Sequence, residues 1–148
     1  MVQQDTYFNV PHGRLKLRRE EGGTPHLIAY ERSDDAGQRE SRYRIVHIEE
    51  DRQLEAALST VLGVPVVVAK KRRLFIWEGI RIHLDRVDDL GSFIEFEAVA
   101  GTEATDLADY ETQLDALRQA FRINDVDLIG ESYCDLALAK RKRSGGGA

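Results

Sequence analysis

Residues 13–20 read GRLKLRRE, and from Arg14 every second side chain is a cation, with Arg14, Lys16 and Arg18 alternating with Leu15 and Leu17. A strand sends successive side chains to opposite faces, whereas a helix does not sort residues with period two. The segment therefore reads as a strand with one apolar face and a ladder of cations about 6–7 Å apart on the other. The same alternation recurs in HLIAYER (26–32), SRYRIVHIE (41–49), IRIHLDRV (80–87) and SFIEFEAVA (92–100). Asp88-Asp89-Leu90-Gly91 joins the last two as a hairpin connection. VPVVVAKKRRLFIWEG (64–79) reads as one long or bent strand, or as two.

Helical spacing appears in three places. DRQLEAALSTVLG begins at Asp51 as N-cap, places Leu54, Leu58, Val61 and Leu62 in one stripe, and closes at Gly63 before Pro65. A second helix starts at Asp106 and carries Leu107, Tyr110, Leu114, Leu117 and Phe121. A third starts at Ser132, with Asp135 three residues on as a capping-box partner. Consecutive short strands without alternating helices point to an antiparallel sheet or barrel, an α+β domain over 1–138. Residues 139–148, with KRKR and a run of glycines, read as a disordered basic tail. Phe75 and Trp77 are expected to pack under a helix.

The totals narrow the function classes. A chain of 148 residues can bury the core of a single domain. Its net charge of −5 argues against general affinity for nucleic acid or an anionic membrane, so any basic site must be local. One cysteine, Cys134, leaves no internal disulfide framework and suits a reducing cytoplasm; it reads as structural. No apolar run approaches a membrane span.

The phase of the charges is the functional signal. Arg14, Lys16 and Arg18 share a parity, as do Ile28, Tyr30 and Arg32, and Arg42 with Arg44. In the long strand Lys70 and Arg72 form one pair and Lys71 and Arg73 the other, and the pattern alone does not choose between them. In the last two strands Arg81, His83 and Asp85 align, and Phe93, Glu95 and Glu97 align. Two carboxylates on one strand face offer the hard oxygen donors that Mg²⁺ or Mn²⁺ takes, usually completed by water and substrate phosphates. Were the sheet to curl, the early cations would face these carboxylates across a lumen suited to a polyphosphate, because guanidinium forks grip phosphate oxygens. The competing reading is the water-facing side of a half-buried sheet. His83, in phase with Asp85, reads either as a catalytic or ligand group or as a histidine paired with a carboxylate.

The runs DTYFNVPHGRLKLRRE, LIAYERSD, RESRYR, VAKKRRLFIWEG, IHLDRVDDLGSFIEFEAV and SYCDLAL together resemble the CYTH superfamily, the triphosphate tunnel metalloenzymes, over about residues 4–138. The class IV adenylate cyclase-like branch is the most similar. The resemblance implies an antiparallel eight-stranded tunnel with helices outside, which holds a triphosphate and Mg²⁺ or Mn²⁺. Matched position by position, it implies phosphate binding by Lys16, Arg18, Arg32 and Arg72, and so favours the Lys70/Arg72 parity. It implies metal binding by Asp85, Glu95 and Glu97; Arg14 and Arg44 are weaker matches. The activity it implies is cyclase or triphosphatase chemistry on ATP, thiamine triphosphate or inorganic tripolyphosphate.

The sequence departs from the family at one point. The family's first strand carries E-x-E-x-K, and no such motif occurs here; Glu95 and Glu97 are followed by Val99 where that motif has lysine. The expectation is a tunnel missing one strand, with unpaired edges. Three accounts stand side by side: a misplaced start or truncation, a short form that binds without turnover, or a strand supplied by another copy through dimerisation or exchange.

Overall fold

The computed structural model describes residues 1–31, 42–98 and 107–145. Seven strands form one sheet: β1 (Val2–Phe8), β2 (Arg14–Glu20), β3 (His26–Glu31), β4 (Arg42–His47), β5 (Val66–Trp77), β6 (Ile80–Val87) and β7 (Gly91–Ala98). The spatial order is β4-β3-β2-β1-β5-β6-β7, and every neighbouring pair is antiparallel. Among the described residues no ladder joins β4 to β7, so both remain edges. This is the antiparallel α+β architecture expected from the alternation. The long segment 64–79 contains a single strand, β5.

Residues 2–8, which the alternation did not mark, form the central strand. Its inward side chains are buried and polar, Gln3 and Asp5 followed by Tyr7, while on the outer face Val2 and Gln4 are exposed and Thr6 and Phe8 buried, so it shows no apolar period of two. Pairing Arg18 with Asp5 and Lys16 with Tyr7 makes the basic side of β2 continuous with these residues. Across β5, Gln3 stands opposite Lys70 and Asp5 opposite Val68. One face of the sheet therefore gathers Asp5, Tyr7, Arg14, Lys16, Arg18, Ile28, Tyr30, Lys70, Arg72, His83, Asp85, Glu95 and Glu97.

Two helices cover the other face. α1 (Asp51–Leu62) is anchored by Arg19, which donates to Asp51 and Glu55, and by the Thr6 hydroxyl, which donates to Glu55. Asp51 is the first helical residue and is engaged by Arg19, with Glu50 in the N-cap position. α2 (Leu107–Ala120) lays Tyr110 and Leu117 over Ile80, Ile82, Leu84 and Phe96. α3 (Tyr133–Gly145) differs from the expectation of helices outside. It packs Tyr133, Cys134, Ala137 and Leu138 on Tyr7, Val66, Val68, Val87 and Phe93, all on the face that carries the cations. Its start is a reciprocal cap: Ser132 Oγ accepts from the Asp135 N–H, and Asp135 Oδ2 accepts from the Ser132 N–H and hydroxyl. The helix continues through the KRKR segment to Gly145, where the sequence suggested a disordered tail.

Two further expectations are corrected. Among the described residues no helix covers Phe75 or Trp77; they are 45% and 40% exposed, on the part of β5 past its pairing with Val2. Arg44 stands opposite Ala29, on the outer side of the sheet, because Tyr43, Ile45 and His47 take the inner positions of β4.

Gly13, between β1 and β2, has φ +66°, and a Cβ there would meet the Tyr30 carbonyl oxygen at 2.7 Å. Gly13→Ala therefore combines left-handed strain, about 1–2 kcal/mol, with a backbone clash. Urea unfolding should show a loss of at least that size, with Gly22→Ala, which meets nothing within 4 Å, losing less.

Candidate functional site

Two buried carboxylates organise the inner face. Asp5, 2% exposed, sits at its centre on β1. Its Oδ2 accepts from Lys16 Nζ at 2.9 Å, and Arg18 grips it as a fork, Nε to Oδ1 and Nη2 to Oδ2, both at 2.7 Å. Burial opposes the Asp5 charge, but Lys16 and Arg18 outweigh it and hold the carboxyl well below the usual range. Asp85 on β6 is the second node. Arg72 donates from Nε to Oδ1 at 2.7 Å and from Nη2 to Oδ2 at 2.6 Å, and the Tyr133 hydroxyl donates to Oδ2 at 3.0 Å. Lys70 Nζ lies 3.5 Å from the same oxygen.

From Asp85 the network continues toward β7. Arg72 Nη2 also donates to Glu95 Oε2 at 2.8 Å. The buried His83 ring bridges the two glutamates, with Nδ1 3.5 Å from Glu95 Oε2 and Nε2 3.5 Å from Glu97 Oε2. Desolvation works against the Glu95 charge, but His83, Arg72 and Lys70 prevail and lower its pKa well below the usual range.

The lysines are held differently from the arginines. Burial depresses Lys70, and repulsion from Arg72 and Arg18 adds to it, so its pKa falls to about 8 despite Asp5 and Asp85. Burial likewise lowers Lys16 against the pull of Asp5. Aromatic faces flank both: Lys16 Nζ is 5.4 Å and 5.6 Å from the Tyr7 and Tyr30 ring centres, and Lys70 Nζ is 5.1 Å from that of Tyr133. Lys16 on β2 also feels the charge of Glu95 on β7, with β1, β5 and β6 lying between them in the ladder. Only a curled sheet brings those two strands within electrostatic reach.

Lys16, Arg18, Lys70 and Arg72 thus share the inner face with Asp85, Glu95 and Glu97, and Lys71 and Arg73 point the other way. Arg32 lies outside the described residues. Arg14 is on the inner face but is bound by both Asp135 oxygens at 3.0 Å, which ties β2 to α3. Asp5, Tyr7, Tyr30 and Tyr133 were not singled out from the sequence as site residues. The signal for Asp5 and Tyr7 was present in D-x-Y, two inward positions of one strand, but it is legible only once 2–8 is known to be a strand.

Both oxygens of Asp85 are engaged by Arg72 and Tyr133, and among the described residues no three His, Cys, Asp or Glu side chains are grouped to hold an ion. Glu95 and Glu97 form a more open pair, with side chains 48% and 31% exposed, although Arg72 holds Oε2 of Glu95 and His83 lies between the two. A pair of this kind fits Mg²⁺ or Mn²⁺ in the mode where one or two carboxylates are completed by water and phosphate oxygens.

A family model for the CYTH domain matches residues 1–133. The chain belongs to the CYTH family. Solved structures share the fold of this CYTH domain at low identity. A Pyrococcus horikoshii protein superposes with a TM-score of 0.77 at 19% identity, covering 91% of this chain and 81% of that one. A conserved hypothetical protein from Pyrococcus furiosus gives 0.76 at 19%, covering 91% and 82%. A candidate adenylate cyclase from Vibrio parahaemolyticus gives 0.70 at 24%, covering 92% and 79%. No curated protein matches the sequence. Among the described residues of the CYTH domain, no helix is long and apolar enough to cross a membrane.

Asp5→Asn leaves Lys16 and Arg18 facing each other without a counter-charge, at a cost of about 3–5 kcal/mol. The lowered Asp5 pKa means that its stabilisation is fully present above the ordinary aspartate value, about 3.9. It is lost as the pH falls from there toward the folded-state value. Urea unfolding across that acid window should show a steep loss in the native protein and a shallower one in Asp5→Asn.

Proposed function

We propose that the protein binds a triphosphate on its inner face and acts on it as an adenylate cyclase-like or triphosphatase enzyme. The observation that carries this reading is the convergence of four buried or half-buried cations, Lys16, Arg18, Lys70 and Arg72, on one curled face bordered by Glu95 and Glu97. Membership of the CYTH family supports it. In this reading Arg18 and Arg72 present guanidinium forks to non-bridging phosphate oxygens, and Lys16 and Lys70 add point charges between them. Asp5 and Asp85 hold the arginines extended in the absence of substrate, so little side-chain freedom is lost on binding. Glu95 and Glu97 would hold Mg²⁺ or Mn²⁺, which supplies neutralising charge to the phosphate oxygens when bound. ATP, thiamine triphosphate and inorganic tripolyphosphate all present the chemistry this face recognises. The cytoplasm, where ATP is abundant and Cys134 stays reduced, is the compartment that goes with this reading.

A second reading, a binding module without turnover, is favoured by a separate observation. All four cations are already paired with Asp5 or Asp85, so the face is electrostatically satisfied before any ligand arrives. Incubation with Mn²⁺ and either ATP or tripolyphosphate separates the two. Release of cyclic nucleotide or phosphate supports the enzyme, and calorimetric binding without product supports the module. Arg72→Met should weaken tripolyphosphate binding by at least tenfold, about 1.4 kcal/mol or more. Glu95→Gln with Glu97→Gln should remove the part of binding that depends on metal; if that part survives, the metal assignment is wrong.

Lys70 supplies a pH signature. With a pKa of about 8 in the free protein, it is charged below that value and loses its proton above it. A bound polyphosphate favours the charged form, so affinity should be constant below about pH 8 and fall above it, by up to tenfold per pH unit. Lys70→Arg stays protonated throughout and should flatten the fall when titrations of the two proteins are compared at each pH.

A further inference from the structure

The inner face changes character between β2 and β4. Three rows of the ladder cross it there, running from β2 through β3 to β4: Arg14–Tyr30–Tyr43, Lys16–Ile28–Ile45 and Arg18–His26–His47. Every row starts at a cation and ends in a ring or a branched apolar side chain. None of the six residues on β3 and β4 is a lysine, an arginine or a carboxylate. The rings pair across the two strands, with centres 4.6 Å apart for His26 and His47 and 6.2 Å apart for Tyr30 and Tyr43. Away from the cations the strip opens: Ile28 is buried, whereas Tyr43 and Ile45 are 54% and 57% exposed. It adjoins the cations directly, since Lys16 stands opposite Ile28 and Arg18 opposite His26, and the Tyr30 ring centre is 5.6 Å from Lys16 Nζ. An apolar wall beside a few placed charges is the composition of a ligand groove, and exposed apolar side chains gathered on one face mark such sites.

We propose that this strip receives a planar ring, so that the site takes a ring-bearing triphosphate, a nucleotide or thiamine triphosphate, in preference to inorganic tripolyphosphate. The inference rests on the triphosphate reading and deepens it. β2 and β4 are two strand spacings apart, about 9–10 Å, a span that the linker between a ring and its first phosphate covers. With phosphates on Lys16 and Arg18, the ring lies over Ile45, between Tyr43 and His47, which share one face of β4 with it. Stacking on Tyr43 and His47 and removal of Ile45 from water supply the added affinity, and they do so for any heteroaromatic ring because each has a π face. Inorganic tripolyphosphate has nothing to lay on the strip and leaves it wet. The occupant is a small ring rather than a protein surface, because the sheet curls toward this side and brings Glu95 within electrostatic reach of Lys16. A flat partner does not follow such a hollow.

Calorimetry of the full chain with Mn²⁺ tests this, using methylene-bridged forms of ATP, thiamine triphosphate and tripolyphosphate, which resist hydrolysis and cyclisation. At least one ring-bearing ligand should bind roughly tenfold or more tightly than the tripolyphosphate form, and the one that gains identifies the ring. Tyr43→Ala should weaken that ligand at least roughly fivefold relative to tripolyphosphate, and Tyr43→Phe, which keeps the ring, should restore it. Tyr43 is more than half exposed, so both variants keep the fold, which circular dichroism verifies. Saturation-transfer NMR should place the ligand's ring protons in closer contact with the protein than its linker protons. Three outcomes overturn this inference and leave the triphosphate reading standing: a ring that adds nothing over tripolyphosphate, a Tyr43→Ala loss that is absent or equal for all ligands, or the same loss in Tyr43→Phe. Failure of all three ligands to bind overturns both.

Discussion

Four cations cannot share one half-buried face unless carboxylates come with them. Removing a lone lysine or arginine from water costs several kcal/mol, and the cost is offset only by an opposite charge with good hydrogen-bond geometry. Asp5 and Asp85 meet that requirement from neighbouring regions of the sheet, each taking one arginine as a fork and one lysine as a point charge. Everything else on the inner face is arranged around these two nodes. Tyr7, Tyr30 and Tyr133 wall the lysines with ring faces, and Tyr133 completes Asp85 with a hydroxyl.

The architecture serves that constraint. β1 lies in the middle of the order so that Asp5 can reach the cations of β2 on one side while standing next to β5 on the other. α1 and α2 cover the outer face. α3 crosses the inner face, and its first turn is tied to it by Arg14 to Asp135 and Tyr133 to Asp85. The helix therefore does more than cover apolar strand ends: its first turn is part of the charged network. Carboxylates that hold the cations ready also compete with any incoming anion. Binding must exchange Asp5 and Asp85 contacts for phosphate contacts without stranding either carboxylate.

Much of this was legible in the sequence, for a simple reason. Period-two alternation reports directly which side chains share a face, so Lys16 with Arg18, Asp85 with His83, and Glu95 with Glu97 were already grouped. The resemblance to CYTH proteins chose Lys70 and Arg72 over Lys71 and Arg73, and the structure places them on that face. The failures share a cause. Strand β1 carries buried polar residues inward and is buried outward only at Thr6 and Phe8, so it has no apolar period to detect. Arg44 was misplaced because the neighbouring Arg42 suggested a basic face, whereas Tyr43, Ile45 and His47 take the inner positions. Phe75 and Trp77 look like core residues by type, but on the outer side of the β5–β6 hairpin they stay 45% and 40% exposed.

Sequence alone determined the strand-rich antiparallel class, the capped start of α3 and the sorting of charges by face, because each depends on spacing along the chain. Tertiary structure decided which charges meet. Register brought Asp5 to Arg18, the curl of the sheet brought Lys16 within reach of Glu95, and the return of α3 delivered Tyr133 to Asp85. Those contacts join residues 13 to 79 positions apart in the chain. No local pattern encodes such distances; they exist only once the strands have paired.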